Sequence, residues 1–365
     1  MVASRRTLRS AITGLVYLAA VVLFFEGAAR LAVSSGPLFQ RIAAEDDSSH
    51  RLRWIQSRKR KRDVAYFFDE YHRTRGWSLK PNLRDLAVFG GRRLSSNSRG
   101  VRGTAEHSPE GDPSRTRIVV LGDSFTFGEE VSDEQTYASQ LQGLAPETEV
   151  LNLGVHGYGH DQMLLYLREE GLVYRPDILL LGFVHIDMPR NLLAFRDYAK
   201  PRFERIQGRL ELRGTPVPEP QAVIDAEPWR SKLLDLLRML RSRLDEGSGT
   251  TAARSREITA AILDEMALAA AAAGAKPIFA YLPVEEELAQ ADLTATGPQR
   301  FFLDYCGARR AACLDLRPAF LARAKAGAAL PTRGHWGAAE HRLAAQALRD
   351  ALREQGLIAR TMPEH

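Results

Sequence analysis

Five short apolar runs, interspersed with helical patterns, limit this chain more than any other feature. The runs are RIVVLGD (117–123), TEVLNLG (148–154), DILLLGFV (177–184), KPIFAYLP (276–283) and the weaker ACLDL (312–316). Each is long enough for a strand and too short for an ordinary helix. Between and after them lie DEQTYASQLQGL (133–144), DQMLLYLREEGL (161–172), EITAAILDEMALAAAAAG (257–274) and WGAAEHRLAAQALRDALREQG (336–356). The third of these patterns closes on Gly274, a C-terminal capping residue. Strands alternating with helices predict a parallel sheet covered on both faces. The stretch 192–250 breaks the rhythm. It holds KPRFERIQGRLELRGTPVPEP, a small hairpin with a Pro-rich loop, and then the helix SKLLDLLRMLRSRL. This predicts an insertion between the third and fourth strands, placed to wall or cover a site. There are no internal repeats.

The N-terminus adds a second constraint. Arg5, Arg6 and Arg9 precede a run from Ala11 to Val33 that is apolar except for Glu26 and Arg30. As a helix this run spans roughly 34 Å, enough to cross a hydrocarbon core. Glu26 and Arg30 are four apart, so they share a face and can pair at the interface. No small-x-small cleavage site follows, which favours an uncleaved anchor. The basic flank puts residues 1–10 in the cytoplasm and the rest outside the inner membrane, single-pass and periplasmic. Residues 34–74 read as a polar linker or stalk, and 75–365 as the folded domain. RLRWIQSRKRKRD (51–63) is basic, and either rests on lipid headgroups or is solvated. The net charge of +5 on 365 residues is small and scattered, which argues against nucleic-acid binding. Cys306 and Cys313 are too few for a disulfide framework; they either pair in an oxidising compartment or stay free.

In an open α/β sheet, ligands bind outside the carboxyl ends of the strands. Gly122-Asp123-Ser124, the loop Asn152 to Gly159, and Gly182 to Asp187 all fall there. Gly334-His335-Trp336 arrives from the far end of the chain. A serine attacks an acyl carbon when a base takes its proton and donors meet the new oxyanion. Ser124 is the candidate nucleophile and His335 the candidate base. The N–H of Ser124, at a helix start, and that of Gly157, with no side chain to block approach, are candidate oxyanion donors. Asp123 reads as a cap on the turn. His156, His160, His185 and Asp187 lie in loops without ligand spacing, so no metal is assigned. Asp161 and Gln162 read as helix-start residues and His341 as structural.

These blocks together resemble the SGNH/GDSL hydrolase family over about residues 75–355. The resemblance rests on GDSFTFGEEV, NLGVHGYGHDQ and GHWGAAEHRLAAQAL. Upstream, GWSLKPN and SSNSRGVRG look like the lead-in of membrane-anchored, extracytoplasmic members. The resemblance implies a three-layer α/β/α sandwich with a five-stranded parallel sheet. It implies ester hydrolysis or acyl transfer, often on O-acetylated glycans, with no cofactor. Two positions depart from the family. Its third block carries an Asn donor where this chain has Ile186; His185 or Asn191 are the candidate replacements. An Asp usually sits two or three residues before the histidine, where this chain has Arg333 and Thr332. Asp187 or a backbone carbonyl is then the candidate support for His335. The expected partners are an acylated glycan or other ester, the membrane through the N-terminal helix, and envelope assembly proteins. The alternatives are an SGNH-fold protein that binds glycan without turnover and a tethered assembly domain that makes contact through residues 192–250.

Overall fold

The computed structural model describes residues 2–57, 64–288, 294–326 and 334–359. Its main sheet has five parallel strands: β1 (Thr116–Gly122), β2 (Thr148–Gly154), β3 (Ile178–Phe183), β4 (Lys276–Tyr281) and β5 (Ala312–Asp315), in the order β5-β4-β3-β1-β2. Each of the five apolar runs forms one strand. Alternate residues feed opposite faces, as the pleat requires. Val119, Leu121, Leu151, Leu153, Leu179 and Leu181 pack in one core. Ile118, Val120, Ile178, Leu180, Ile278 and Ala280 pack in the other. Both faces are dry, so the strands read as continuous apolar runs instead of alternating ones.

The helices named below are α1 (Val2–Ser34), α2 (Gly36–Ile42), α3 (Asp47–Ser57), α4 (Ser124–Phe127), α5 (Tyr137–Leu144), α6 (His160–Glu169), α7 (Lys232–Gly247), α8 (Thr250–Ala272), α9 (Gly297–Arg309), α10 (Arg317–Lys325) and α11 (Ala338–Glu354). Residues of α6, α8 and α9 join the first core; residues of α5, α10 and α11 join the second. This is the expected α/β/α sandwich. The sheet order reverses between β1 and β3, and a crevice opens at such a switch point on the carboxyl edge.

Residues 34–74 are ordered wherever they are described, and do not form a free stalk. Trp54 on α3 sits in the first core, its indole N–H donating to the Val64 carbonyl at 3.1 Å. A soluble form that begins after residue 63 therefore loses a core tryptophan. Arg51, one of the basic run 51–63, faces neither lipid nor water. It is buried between Glu227 at 2.9 Å and Asp235 at 2.5 Å, because an unpaired buried guanidinium would be far costlier. The rest of that run from 58 onward lies outside the described residues.

Thr7–Ser34 of α1 is long and apolar enough to cross a membrane, with mean hydropathy 2.0. Its distal end is fixed to the domain. Glu26 accepts from Ser231 Oγ at 2.7 Å and from the N–H groups of Lys232 at 2.9 Å and Leu233 at 3.0 Å, so an acid on α1 caps the start of α7. Arg30 pairs with Glu26 at 2.9 Å, as the four-residue spacing predicts. The insertion holds the expected hairpin, Arg202–Ile206 against Arg209–Arg213. Its helix α7 packs on α1, α2 and α3. Cys306 on α9 and Cys313 on β5 are disulfide-bonded, with Cα atoms 6.1 Å apart.

Candidate functional site

Ser124 is the first residue of α4, directly after β1. The turn is held from the front by Asp123, whose carboxylate accepts from the Phe125 N–H at 3.0 Å. It is held from behind by Arg102 of the lead-in segment, buried at 7% exposure. That guanidinium donates to the carbonyls of Phe127, Gly128 and Val131, the last two at 2.7 Å, and to Asp133 at 2.9 Å. The short helix sits directly on the sheet edge because the strand ends are glycine. A Cβ on Gly154 would strike the α4 backbone at Thr126 and Phe127, and one on Gly182 would lie 2.5 Å from Thr126 Oγ1.

His335 Nε2 lies 2.8 Å from Ser124 Oγ. The contact spans 211 residues and is made by Trp336. That indole is 1% exposed, meets Phe125 edge-on and Phe320 at a tilt, and donates to the Pro283 carbonyl at 3.1 Å. The next side chain back is therefore set against the serine. Glu129 Oε2 is 3.7 Å from the same His335 nitrogen. For Nε2 to accept from the serine hydroxyl, the imidazole must carry its proton on Nδ1. Arg333 and Thr332 lie outside the described residues, so the expectation about them does too.

Gly157 has φ +74, a left-handed conformation that favours glycine. No hydrogen bond among the described residues uses the N–H of Ser124 or of Gly157. A Cβ on Gly157 would collide with the Asp197 carboxylate.

The three candidate supports are engaged elsewhere. Asp187 is buried and paired with Arg190. Burial, and then the neighbouring Asp123 carboxylate, push its carboxyl well above the ordinary range. Asn191 is fully buried and donates to Thr259 Oγ1 at 2.8 Å while accepting from the Asp161 N–H at 3.2 Å. His185 faces Glu287, 3.4 Å away. None of them hydrogen-bonds Ser124 or His335 among the described residues. Ile186 is 37% exposed and has no donor to offer.

Sequence reasoning missed Arg190, which donates to the Tyr158 carbonyl at 3.0 Å and lies 3.4 Å from Asp123. From the turn after β3, it joins the loop Asn152 to Gly159 to the nucleophile turn. Nothing in the sequence sets it apart, since it lies in a mixed stretch beside Asp187 and Asn191. The structure also separates the histidines read as non-metal. His156 pairs with Asp69 at 2.7 Å; burial alone would lower this imidazole, but Asp69 outweighs it and raises it. Asp161 is a helix-start residue as read, and it also pairs with buried Lys200.

His160 and His341 are buried, each with Nε2 unpartnered among the described residues. Burial pushes both imidazoles down to about 3. Below the unfolded value of 6.5 the unfolded chain takes up protons there and the folded chain does not, so stability falls with pH down to about 3. At pH 5 each costs about 2 kcal/mol. His72, which burial lowers to about 4, adds to the same loss, so the melting temperature should drop between pH 7 and pH 5, and His341→Gln should make that drop smaller. An equal drop in the variant would contradict this reading.

The strand order and the layers define a three-layer α/β/α fold around a five-stranded parallel sheet, the fold that the resemblance of the three blocks implies. No family model and no curated protein matches the chain. Among solved structures it is similar to a member of the lipolytic protein G-D-S-L family from Veillonella parvula DSM 2008, with 11% identity, TM-score 0.35, and 64% of this chain and 96% of that one covered. It is also similar to the psychrotrophic esterase EstA from Pseudoalteromonas sp., with 13% identity, TM-score 0.37, and coverage of 66% and 98%. A two-domain esterase active on acetylated mannans matches at 12% identity and TM-score 0.37, over 69% of this chain and 52% of that one. At these identities and scores the likeness adds nothing to what the strand order and side chains show.

Proposed function

We propose that the chain is a membrane-anchored serine ester hydrolase or O-acyltransferase. Ser124 is the nucleophile, His335 the base, and the N–H groups of Ser124 and Gly157 receive the oxyanion. One observation carries the reading: a serine at a strand-to-helix turn, on the switch-point edge of the sheet, 2.8 Å from a histidine that arrives 211 residues later. In the reaction the Ser124 hydroxyl passes its proton to His335 Nε2 as Oγ bonds to the acyl carbon. His335 returns the proton to the leaving alcohol as the C–O bond breaks. Water or a second alcohol then releases the acyl group by the same steps in reverse order.

The disulfide and the basic flank of α1 support placing the domain outside the inner membrane of a two-membrane bacterium. On that side the ester would be an acylated cell-envelope or exported polysaccharide, with envelope assembly proteins as neighbours. Ile186, where a donor would help, favours a second reading, glycan binding without turnover. p-Nitrophenyl acetate hydrolysis by the full chain in detergent, beside Ser124→Ala, separates the two. Turnover lost in the variant supports the first reading, and equal inertness of two folded proteins supports the second. A native acylated glycan is the follow-up if the small ester is refused.

A further inference from the structure

We propose that Trp229 and the first turns of α7, carried by the insertion, sit in the bilayer face where α1 emerges and form a second membrane contact. The proposal rests on the reading of α1 as a membrane anchor.

The level of the bilayer is set by α1. From Arg9 to Arg30 the helix rises about 32 Å, close to the roughly 30 Å of a hydrocarbon core. The two arginines therefore mark its two faces. Arg30 Nη2 donates to the carbonyls of Pro228 and Arg230, both at 3.3 Å, so it clasps the backbone on either side of Trp229. Glu26, about one helical turn nearer the bilayer centre, accepts from the N–H groups of Lys232 and Leu233. The start of α7 is thus held level with the last turns of the apolar span.

The side chains there are sorted as a lipid boundary requires. Polar groups turn inward and are paired. Glu26 meets Arg30 and Ser231 Oγ, Lys232 meets Glu227 at 2.6 Å, and Asp235 meets Arg51 at 2.5 Å. An unpaired polar group is costly at that depth. Apolar groups turn outward. Trp229 is 89% exposed, and Leu234 and Leu237 are each 52% exposed. The other three tryptophans of the chain, Trp54, Trp77 and Trp336, are buried. An indole is well placed at a membrane interface, where its ring meets lipid and its N–H stays wet. Arg230, Arg238 and Arg241 are exposed on the same segment and suit anionic headgroups. The occupant is lipid because the patch continues the exposed apolar surface of α1, with Phe24, Phe25 and Leu31, at the end where the anchor leaves the bilayer.

One helix lets a domain swing about its axis. The insertion also reaches the nucleophile's edge of the sheet, since its Lys200 pairs with Asp161 of α6 and donates to the Arg190 carbonyl at 3.2 Å. A second contact through this insertion fixes that edge at one angle to the bilayer.

The test uses the full chain reconstituted in vesicles of phosphatidylcholine with a minority of phosphatidylglycerol. Tryptophan emission is compared between ordinary phosphatidylcholine and phosphatidylcholine brominated near the top of its acyl chains. Bromine quenches an indole on contact and leaves buried ones alone. Brominated lipid should remove about a quarter of the emission, one tryptophan of four, and Trp229→Phe should abolish that loss. Leu234→Glu with Leu237→Glu should weaken the quenching while circular dichroism stays that of wild type. Vesicle-bound wild type with equal emission in both lipids would overturn the proposal, including the case of a blue-shifted Trp229 covered by a second copy or another protein. Quenching that survives Trp229→Phe would overturn it too. Failure of the chain to float with the vesicles would remove the anchor reading itself, and flotation shows this without any fluorescence measurement.

Discussion

Ser124→Ala is expected to reduce ester hydrolysis to background, a fall of about 10⁴-fold or more. The fold should not notice. Ser124 is 3% exposed, but among the described residues its hydroxyl meets only His335 at 2.8 Å and Asp123 at 3.3 Å. The turn itself is held by Asp123, Arg102 and the strand-end glycines, none of which uses the hydroxyl. Melting temperatures of variant and wild type should agree within a few degrees, while rates part by orders of magnitude. Comparable rates in the two proteins would mean that the hydrolysis comes from elsewhere.

His335→Gln should cost about as much, again about 10⁴-fold. Glutamine fills part of the imidazole volume and can still touch Ser124 Oγ, but it cannot accept and return a proton near neutral pH. The pair acts as a unit, so the double variant with Ser124→Ala should lose no more than either single one. Losses that multiply would show that the two side chains act independently. Trp336 carries the anchoring, so His335→Gln should leave the terminal helix in place; the buried Trp336 should keep its fluorescence maximum.

The architecture was legible because both faces of the sheet are buried, which turns every strand into an apolar run of the right length. The long apolar N-terminal helix was legible for a similar reason, since only lipid or a core tolerates Ala11 to Val33. Ser124, Gly157 and His335 stood out because each falls in a short block with its own turn chemistry. What remained hidden depends on contacts distant in sequence. Residues 36–57 look polar, yet Trp54 and Arg51 are buried by partners at 195, 198, 227 and 235. α9 and α10 carry weak amphipathic patterns and follow from packing against β4 and β5. Asp187 and Asn191 were read as supports for the reacting pair from their nearness in sequence to the third block. The structure turns both inward, Asp187 to Arg190 and Asn191 to Thr259. Arg102 and Arg190 each hold the nucleophile turn from other segments, and no local pattern distinguishes them from the chain's many surface arginines.

The central claim is that Ser124 is an activated nucleophile. The most direct measurement is the intact mass of the full chain in detergent after incubation with a fluorophosphonate, followed by peptide mapping, with Ser124→Ala in parallel. The account predicts one adduct per wild-type chain, located on Ser124, and none on the variant. An unmodified wild-type chain that is folded, or an adduct that survives Ser124→Ala, would contradict it.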